Sequence, residues 1–293
     1  MPPADIEEVT STNIPIGIDE NVSDFTKYFI ENVNANTEDK PKKIKQVIEE
    51  VYRDARTLFH IAPSKREIRE AYNTNFKDIP ISQTLSTWMV KRGMRKHSGV
   101  KVVSVLTTAG NNISFSCPEK CSYCPTETDL EGNPTHSKSY VSGEPLMDRA
   151  ERIKNSGEKH LIRGQIWDRF KSYFTTGNLE KSSNKEKIEV IVSGGTWDVL
   201  PYKYREDTIN ELYWAFNTYG QDPPREMLTI EEEILINETA QYAVIGLTIE
   251  TRPDYINKTA IKSYLRWGIT RVQIGVQHYD DFILSKLDRG CYK

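Results

Sequence analysis

Between Val100 and Val276 four short apolar runs rich in β-branched residues recur, at Val100–Leu106, Val190–Val192, Ala243–Ile249 and Arg271–Val276, with helical patterns between the later ones. Short strands alternating with helices build a parallel sheet, closed or partly closed as a βα barrel. The spacing predicts helices over Tyr204–Tyr219, where Ile209, Leu212, Tyr213 and Phe216 share a face and Gly220 closes the element, over Ile256–Trp267, and over Tyr279–Leu287. Residues 155–187 read as an insertion holding one helix between polar linkers. In folds of this kind the chemistry sits in loops that follow the C-terminal ends of strands.

The first third of the chain has a different texture. Residues 1–39 carry nine acids against one Lys, and residues 1–37 show no clear period, so a disordered or loosely packed lead-in is expected there. From residue 40 the balance reverses: up to Lys101 there are 15 Lys and Arg against six Asp and Glu. Helical spacing of Ile44, Val47, Ile48, Val51 and Leu58, a capping box at Ser64 and Glu67 running to about Tyr72, and a third helix over Ser82–Lys91 make residues 40–96 a small basic helical module. Its charge is either a contact surface for a polyanion or an ordinary solvated face. No apolar stretch approaches the roughly 18 residues of a membrane-spanning helix, and the acidic N-terminus lacks a leader pattern, so a reducing, cytoplasmic setting is expected.

Three of the four cysteines, Cys117, Cys121 and Cys124, fall in the run SCPEKCSYCP after the first predicted strand. The spacing CxxxCxxC puts three thiolates on one tight loop, enough to hold three irons of an iron–sulfur cluster and leave a fourth open. Zinc is the alternative, but it wants four ligands, and here it must recruit His97, His136 or Cys291 from a distance. Ser193-Gly194-Gly195-Thr196 ends the second strand, and paired glycines let the backbone come close to a ligand. Glu250 and Arg252 end the third strand and share a face, placing both within reach of a ribose hydroxyl and a carboxylate, or of each other. On the fourth, Gln273 and Gln277 alternate with apolar residues, and interior amides there need partners, structural or ligand-borne.

CxxxCxxC with Tyr123 before its last cysteine resembles the signature of radical S-adenosylmethionine enzymes, whose partial βα barrel holds a 4Fe–4S cluster. In that superfamily the amino and carboxylate groups of S-adenosylmethionine chelate the open iron, and one-electron cleavage of the sulfonium yields a 5′-deoxyadenosyl radical that abstracts hydrogen from substrate. The segments KHSGVKVVSV, ISF, SYVSGEP, KIEVIVSGGTWDVLP, IGLTIETRPDY, ITRVQIGVQ and DRG resemble, in order, the radical domain of the Elongator catalytic subunit, from about His97 to Gly290.

The resemblance implies modification of the tRNA wobble uridine, beginning the 5-carboxymethyl group with S-adenosylmethionine and acetyl-coenzyme A, by a transferase of the acyltransferase type. It makes Cys117, Cys121 and Cys124 the cluster ligands, and Gly194, Gly195, Thr196, Glu250, Arg252 and Gln273 the residues that position S-adenosylmethionine. Lys187 matches a family lysine associated with acetyl-coenzyme A, and is otherwise a lysine heading a strand. The basic module becomes a tRNA surface, with Lys91, Arg92, Arg95 and Lys96 as phosphate contacts.

Two departures from the family pattern stand out. Family members spread their cysteines more widely, the first near the place of Gly110, whereas here Cys117 supplies that thiolate. The chain also ends just after the fourth strand, so residues 97–293 are expected to form a C-terminally truncated barrel without the acetyltransferase domain. Its exposed edges are expected to need another chain or other Elongator subunits. The alternatives are a catalytically incomplete tRNA-binding or Elongator-interacting fragment, and a zinc protein.

Overall fold

The structure, a computed structural model, describes residues 19–37, 43–89, 98–107, 117–176, 178–179 and 185–292. They divide into two compact units, one drawn from residues 13–99 with 170–181 and the other from 100–169 with 182–293.

The first unit is helical. Helix α1 (Glu20–Thr37) packs against α2 (Ile44–Phe59), α3 (Lys65–Asn75) and α4 (Gln83–Trp88). Helix α1 corrects the expectation of a disordered lead-in over its residues, while residues 1–18 lie outside the described ones. Phe25, Phe29, Ile30 and Val33 recur at helical spacing beneath the acidic composition and are fully buried. Burying side chains of this size stabilises by about 1.5–3 kcal/mol each, which outweighs a modest charge imbalance on the solvent side. Their partners are Val47, Ile48, Val51 and Ala55 of α2, Ile68 of α3 and Leu85 of α4. The capping box appears as predicted: the Ser64 hydroxyl accepts from the Glu67 amide and the Glu67 carboxylate accepts from the Ser64 amide. Helix α4 occupies the first part of the expected Ser82–Lys91 span, with the Ser82 side chain capping it at Gln83 and its end at Trp88.

The second unit is α/β. Strands β1 (Val100–Leu106), β2 (Glu186–Ser193), β3 (Tyr242–Thr251) and β4 (Arg271–Ile274) form a parallel sheet in sequential order among the described residues. The register aligns their C-terminal ends, with Leu106 opposite Ser193, Val192 opposite Ile249, and Thr251 opposite Ile274. Val103, Val105, Ile188, Val190, Val192, Leu247 and Ile249 are buried, which explains the near-continuous apolar runs: strands of a covered parallel sheet have little solvent face to keep polar. Strand β4 lies at the edge with Arg271, Gln273 and Ile274 exposed.

Helices α5 (Pro145–Asn155), α6 (Leu161–Thr175), α7 (Tyr202–Asn217), α8 (Ile230–Asn237) and α9 (Lys258–Arg266) lie between the strands, the last residues of α6, from Phe170, belonging to the first unit, and α10 (Asp281–Lys286) follows β4. Those at α6, α7, α9 and α10 match the sequence pattern, with Ile209, Leu212, Tyr213 and Phe216 of α7 buried. Helices α5 and α8 were not apparent from periodicity. Helix α8 starts at a Thr229–Glu232 capping box and buries Glu233 in a network with Arg225 and Asn217. No helix of the described residues is long and apolar enough to cross a membrane.

Candidate functional site

The aligned C-terminal ends of the strands bring four loops together. Thr107 follows β1, Gly194 and Gly195 follow β2, Arg252 follows β3 and Gly275 follows β4. They surround a cavity of about 450 Å³ whose lining includes Cys117, Cys121, Cys124, Gly195, Thr196, Glu250, Arg252 and Gln273. Residues spread over more than 150 positions of sequence thus share one cavity, where the rule for such sheets puts a site.

All three cysteines are free thiols; Cys121 is buried, and Cys117 and Cys124 are partly so. The loop is tight, with the Cys124 amide donating to the Cys121 carbonyl at 3.1 Å, and it is anchored by the Ser122 amide donating to the Leu287 carbonyl at 3.0 Å. Each sulfur has a donor beside it. The Thr196 hydroxyl donates to Cys117 Sγ at 3.4 Å and the Ser139 hydroxyl to Cys124 Sγ at 3.3 Å, while Arg252 and Arg289 donate to Cys121 Sγ at 3.4 and 3.5 Å. Burial pushes the Cys121 thiol up, but the Arg289 and Tyr123 hydrogen bonds and the charges of Arg289 and Arg252 leave it below the ordinary thiol value.

Among the described residues no three His, Cys, Asp or Glu side chains converge on a single-ion position. His136 turns its Nε2 to Ser142, Glu127 and Glu151, and neither it nor Cys291 lines the cavity. His97 lies outside the described residues. Three thiols that line one cavity, each with its own donor, match the ligand number of a cluster held through three of its irons.

The glycine pair is required by backbone shape. Gly194 has φ of 140° and Gly195 of 92°, values that side-chain-bearing residues rarely adopt. Gly194 turns its amide to the Tyr140 hydroxyl at 2.9 Å, and Gly195 presents bare backbone to the cavity. Tyr140 also donates to Glu250 Oε2 at 3.4 Å, and Ser193 donates to Glu250 Oε1 at 3.3 Å. Burial raises the Glu250 carboxyl above its usual range, with these two hydrogen bonds opposing the shift. Burial and the Glu250 charge push the Tyr140 hydroxyl up to about 12, so it stays protonated and able to donate.

Arg252 lines the cavity but is committed elsewhere. Its guanidinium grips Asp254 at 3.0 and 2.8 Å, donates to the Arg289 carbonyl at 2.8 Å and to Cys121, and sits 3.7 Å from Glu119. Four of its five N–H groups are thereby engaged. In this arrangement it braces the cysteine loop while its side chain still lines the cavity. It pairs with Asp254 rather than with Glu250. Lys187 sits on β2 opposite Val100, six residues and so about 20 Å before Ser193, at the other end of the sheet from the cavity. Lys91, Arg92, Arg95, Lys96 and Gly110 lie outside the described residues.

Tyr140 and Arg289 also line the cavity, and sequence reasoning misses both. Both stand in segments that carry the family resemblance, SYVSGEP and DRG, yet neither has a local pattern that betrays a long-range partner.

Fold and site together define an α/β protein with a thiol-lined cavity at the carboxyl ends of a parallel sheet. No family model matches the chain. It is similar to the tRNA uridine(34) acetyltransferase of Dehalococcoides mccartyi, 33% identical over 202 residues, covering 69% of this chain and 38% of that one. The tRNA uridine(34) acetyltransferase of Methanocaldococcus infernus is 33% identical over 255 residues, covering 84% of this chain and 42% of that one. Elongator complex protein 3 of Saccharomyces cerevisiae is 31% identical over 206 residues, covering 67% of this chain and 32% of that one. Among solved structures, the M. infernus Elp3 with an N-terminal deletion is similar at 26% identity and a TM-score of 0.41, over 64% of this chain and 31% of that one. The chain is of the Elongator catalytic subunit type and spans less than half the length of these curated relatives.

Proposed function

We propose that the cavity is a radical S-adenosylmethionine site, holding a 4Fe–4S cluster on Cys117, Cys121 and Cys124, and that the chain carries the radical part of a tRNA wobble-uridine (U34) modification. The observation that carries this reading is the convergence of three thiols with Gly195, Thr196, Glu250 and Gln273 on one cavity. The sequential parallel order of the strands supports a partial radical-type barrel. When bound, cluster and S-adenosylmethionine supply one-electron cleavage of the sulfonium and a radical that abstracts hydrogen.

The protein's own contribution is positioning. Thr196, Ser139 and the two arginines orient the thiolates. Gly195 would let the methionine end of the cofactor approach bare backbone, and Glu250, steadied by Tyr140 and Ser193, would accept from its ribose hydroxyls. Gln273, opposite Glu250 in the register, offers an amide at the same rim. The basic module, with Lys91, Arg92, Arg95 and Lys96, takes the tRNA phosphates, and Lys187 serves an acetyl-coenzyme A site away from the cavity, within a cytoplasmic Elongator-type assembly.

Anaerobic reconstitution with iron and sulfide, reduction, and assay for 5′-deoxyadenosine with and without tRNA tests the reading. Cleavage that tRNA stimulates is the expected result. No cluster absorbance overturns it, and a cluster that never cleaves S-adenosylmethionine leaves a binding role only.

A further inference from the structure

Cys121 is set apart from its two companions by what faces it. Cys117 and Cys124 each receive a neutral hydroxyl, whereas Cys121 receives two guanidinium groups, at 3.4 and 3.5 Å. Both arginines are nearly inaccessible, Arg252 at 2% and Arg289 at 5%. The two differ in how their charge is balanced. Arg252 has the bidentate Asp254 and the nearby Glu119. Arg289 donates to Cys121 and to the Gly275 carbonyl, its Nε is buried without a hydrogen-bond partner, and the acid whose charge it feels, Asp254, already gives both carboxylate oxygens to Arg252.

Two buried guanidinium groups that share one bidentate acid leave positive charge unbalanced, which is costly unless something else supplies the negative charge. Three thiolates and an iron–sulfur core supply it here, because such a cluster is anionic overall and becomes more so on reduction. We infer that Arg289 is the counter-charge of the cluster, a positioning residue that acts through Cys121 and makes the cluster easier to reduce. The inference rests on the cluster reading above. Burial strengthens the effect, since charges shielded from water are little screened, and hydrogen bonds to ligand sulfur shift cluster potentials in the same direction. The step is the gain of one electron from an external one-electron reductant, with no bond made or broken.

The test is an electron paramagnetic resonance titration of the reconstituted full chain with dithionite and mediators, on the wild type and on Arg289→Lys, Arg289→Gln and Arg289→Met, with iron content measured on each. Wild type and Arg289→Lys are expected to reduce within threefold of one another. Arg289→Met is expected to lose at least tenfold in the reduction equilibrium constant, a shift of about 59 mV to more negative potential, with Arg289→Gln between. Equal potentials at equal iron content overturn the inference, as does a Lys variant that falls as far as the Met variant, which makes geometry rather than charge the cause. If Arg289→Met holds no iron, the comparison of Lys with Gln decides. A wild-type chain that takes up no cluster overturns the cluster reading and the inference together, whereas a full cluster with flat potentials overturns the inference alone.

Discussion

The turn at Gly194 gives the sharpest mechanical test of how the cavity is built. A Cβ at this position meets Thr107 Oγ1 at 2.1 Å and the Thr107 carbonyl oxygen at 3.1 Å, and φ is 140°. Thr107 cannot easily retreat, because its hydroxyl donates to the Ser193 carbonyl at 3.1 Å and its amide to the same oxygen at 2.8 Å. Placing an L side chain in a positive-φ region costs roughly 1–2 kcal/mol, and overpacking a closed site adds roughly 1–3 kcal/mol. Gly194→Ala is therefore expected to destabilise by about 2–5 kcal/mol. Gly195→Ala is the control: its φ is 92° but the nearest neighbour of a Cβ, the Lys138 carbonyl oxygen, is 3.8 Å away, so only the backbone cost of roughly 1–2 kcal/mol applies.

Urea unfolding followed by tryptophan fluorescence measures the difference, since four of the five tryptophans, Trp167, Trp197, Trp214 and Trp267, belong to the sheet-bearing unit. With an m-value of about 3 kcal/mol/M, a 3 kcal/mol loss moves the midpoint by about 1 M. Adding Thr107→Ala to Gly194→Ala removes the closest contact and is expected to recover part of the loss but not the backbone share. The reasoning is refuted if Gly194→Ala costs no more than Gly195→Ala.

Tyr140→Phe removes the oxygen that joins the Gly194 amide to Glu250, leaving buried groups without partners at a cost of about 1–3 kcal/mol; equilibrium dialysis is expected to show S-adenosylmethionine held at least tenfold more weakly, and unchanged binding counts against a positioning role. Burial pushes the Glu211 carboxyl up to about 7 from 4.5, even though it accepts from the Ile162 and Arg163 amides at the start of α6. The folded state therefore holds that proton more tightly than the unfolded chain, and stability falls as pH rises from about 4.5 to 7, by up to roughly 3 kcal/mol. Glu211→Gln is expected to flatten this slope in urea midpoints taken at pH 5 and pH 8, and parallel slopes count against it. Replacing Lys91, Arg92, Arg95 and Lys96 by Ala is expected to lower the salt slope of tRNA affinity by roughly three to four, and an unaltered slope removes these residues from the phosphate surface.

Strands β1 and β2 and the C-terminal half of β3 were legible because their apolar residues are buried in a covered parallel sheet, whereas β4 showed through its β-branched alternation although it is largely exposed. Three of the four runs lie within longer strands or end slightly late, since the flanking residues of β2 and β3 are polar and hydrogen-bonded rather than apolar. Helix α1 was hidden because composition was read over residues 1–39 together, although only three acids, Glu20, Asp24 and Glu31, lie in the helix and its four buried apolar residues form one stripe. Helix α8 was hidden because its hydrophobic residues are spread around it, Leu235 being exposed while Glu233 is buried. At the site, motif spacing exposed the thiols and the glycine pair, which are local features. What Arg252 does was not readable, because its partners Asp254, Glu119, Cys121 and Arg289 span residues 119–289, and only the fold decides between a ligand and an internal acid. Tyr140 escaped for the same reason, lying 54 residues from Gly194 and 110 from Glu250.

The most direct measurement is the electron paramagnetic resonance spectrum of the reduced, reconstituted chain with and without S-adenosylmethionine, alongside Cys117→Ala, Cys121→Ala and Cys124→Ala. A cluster held by three thiolates with one open iron predicts a signal in the wild type that changes when S-adenosylmethionine is added, and its loss or replacement by a smaller cluster in each variant. A signal indifferent to S-adenosylmethionine, or one that survives the three substitutions unchanged, contradicts it.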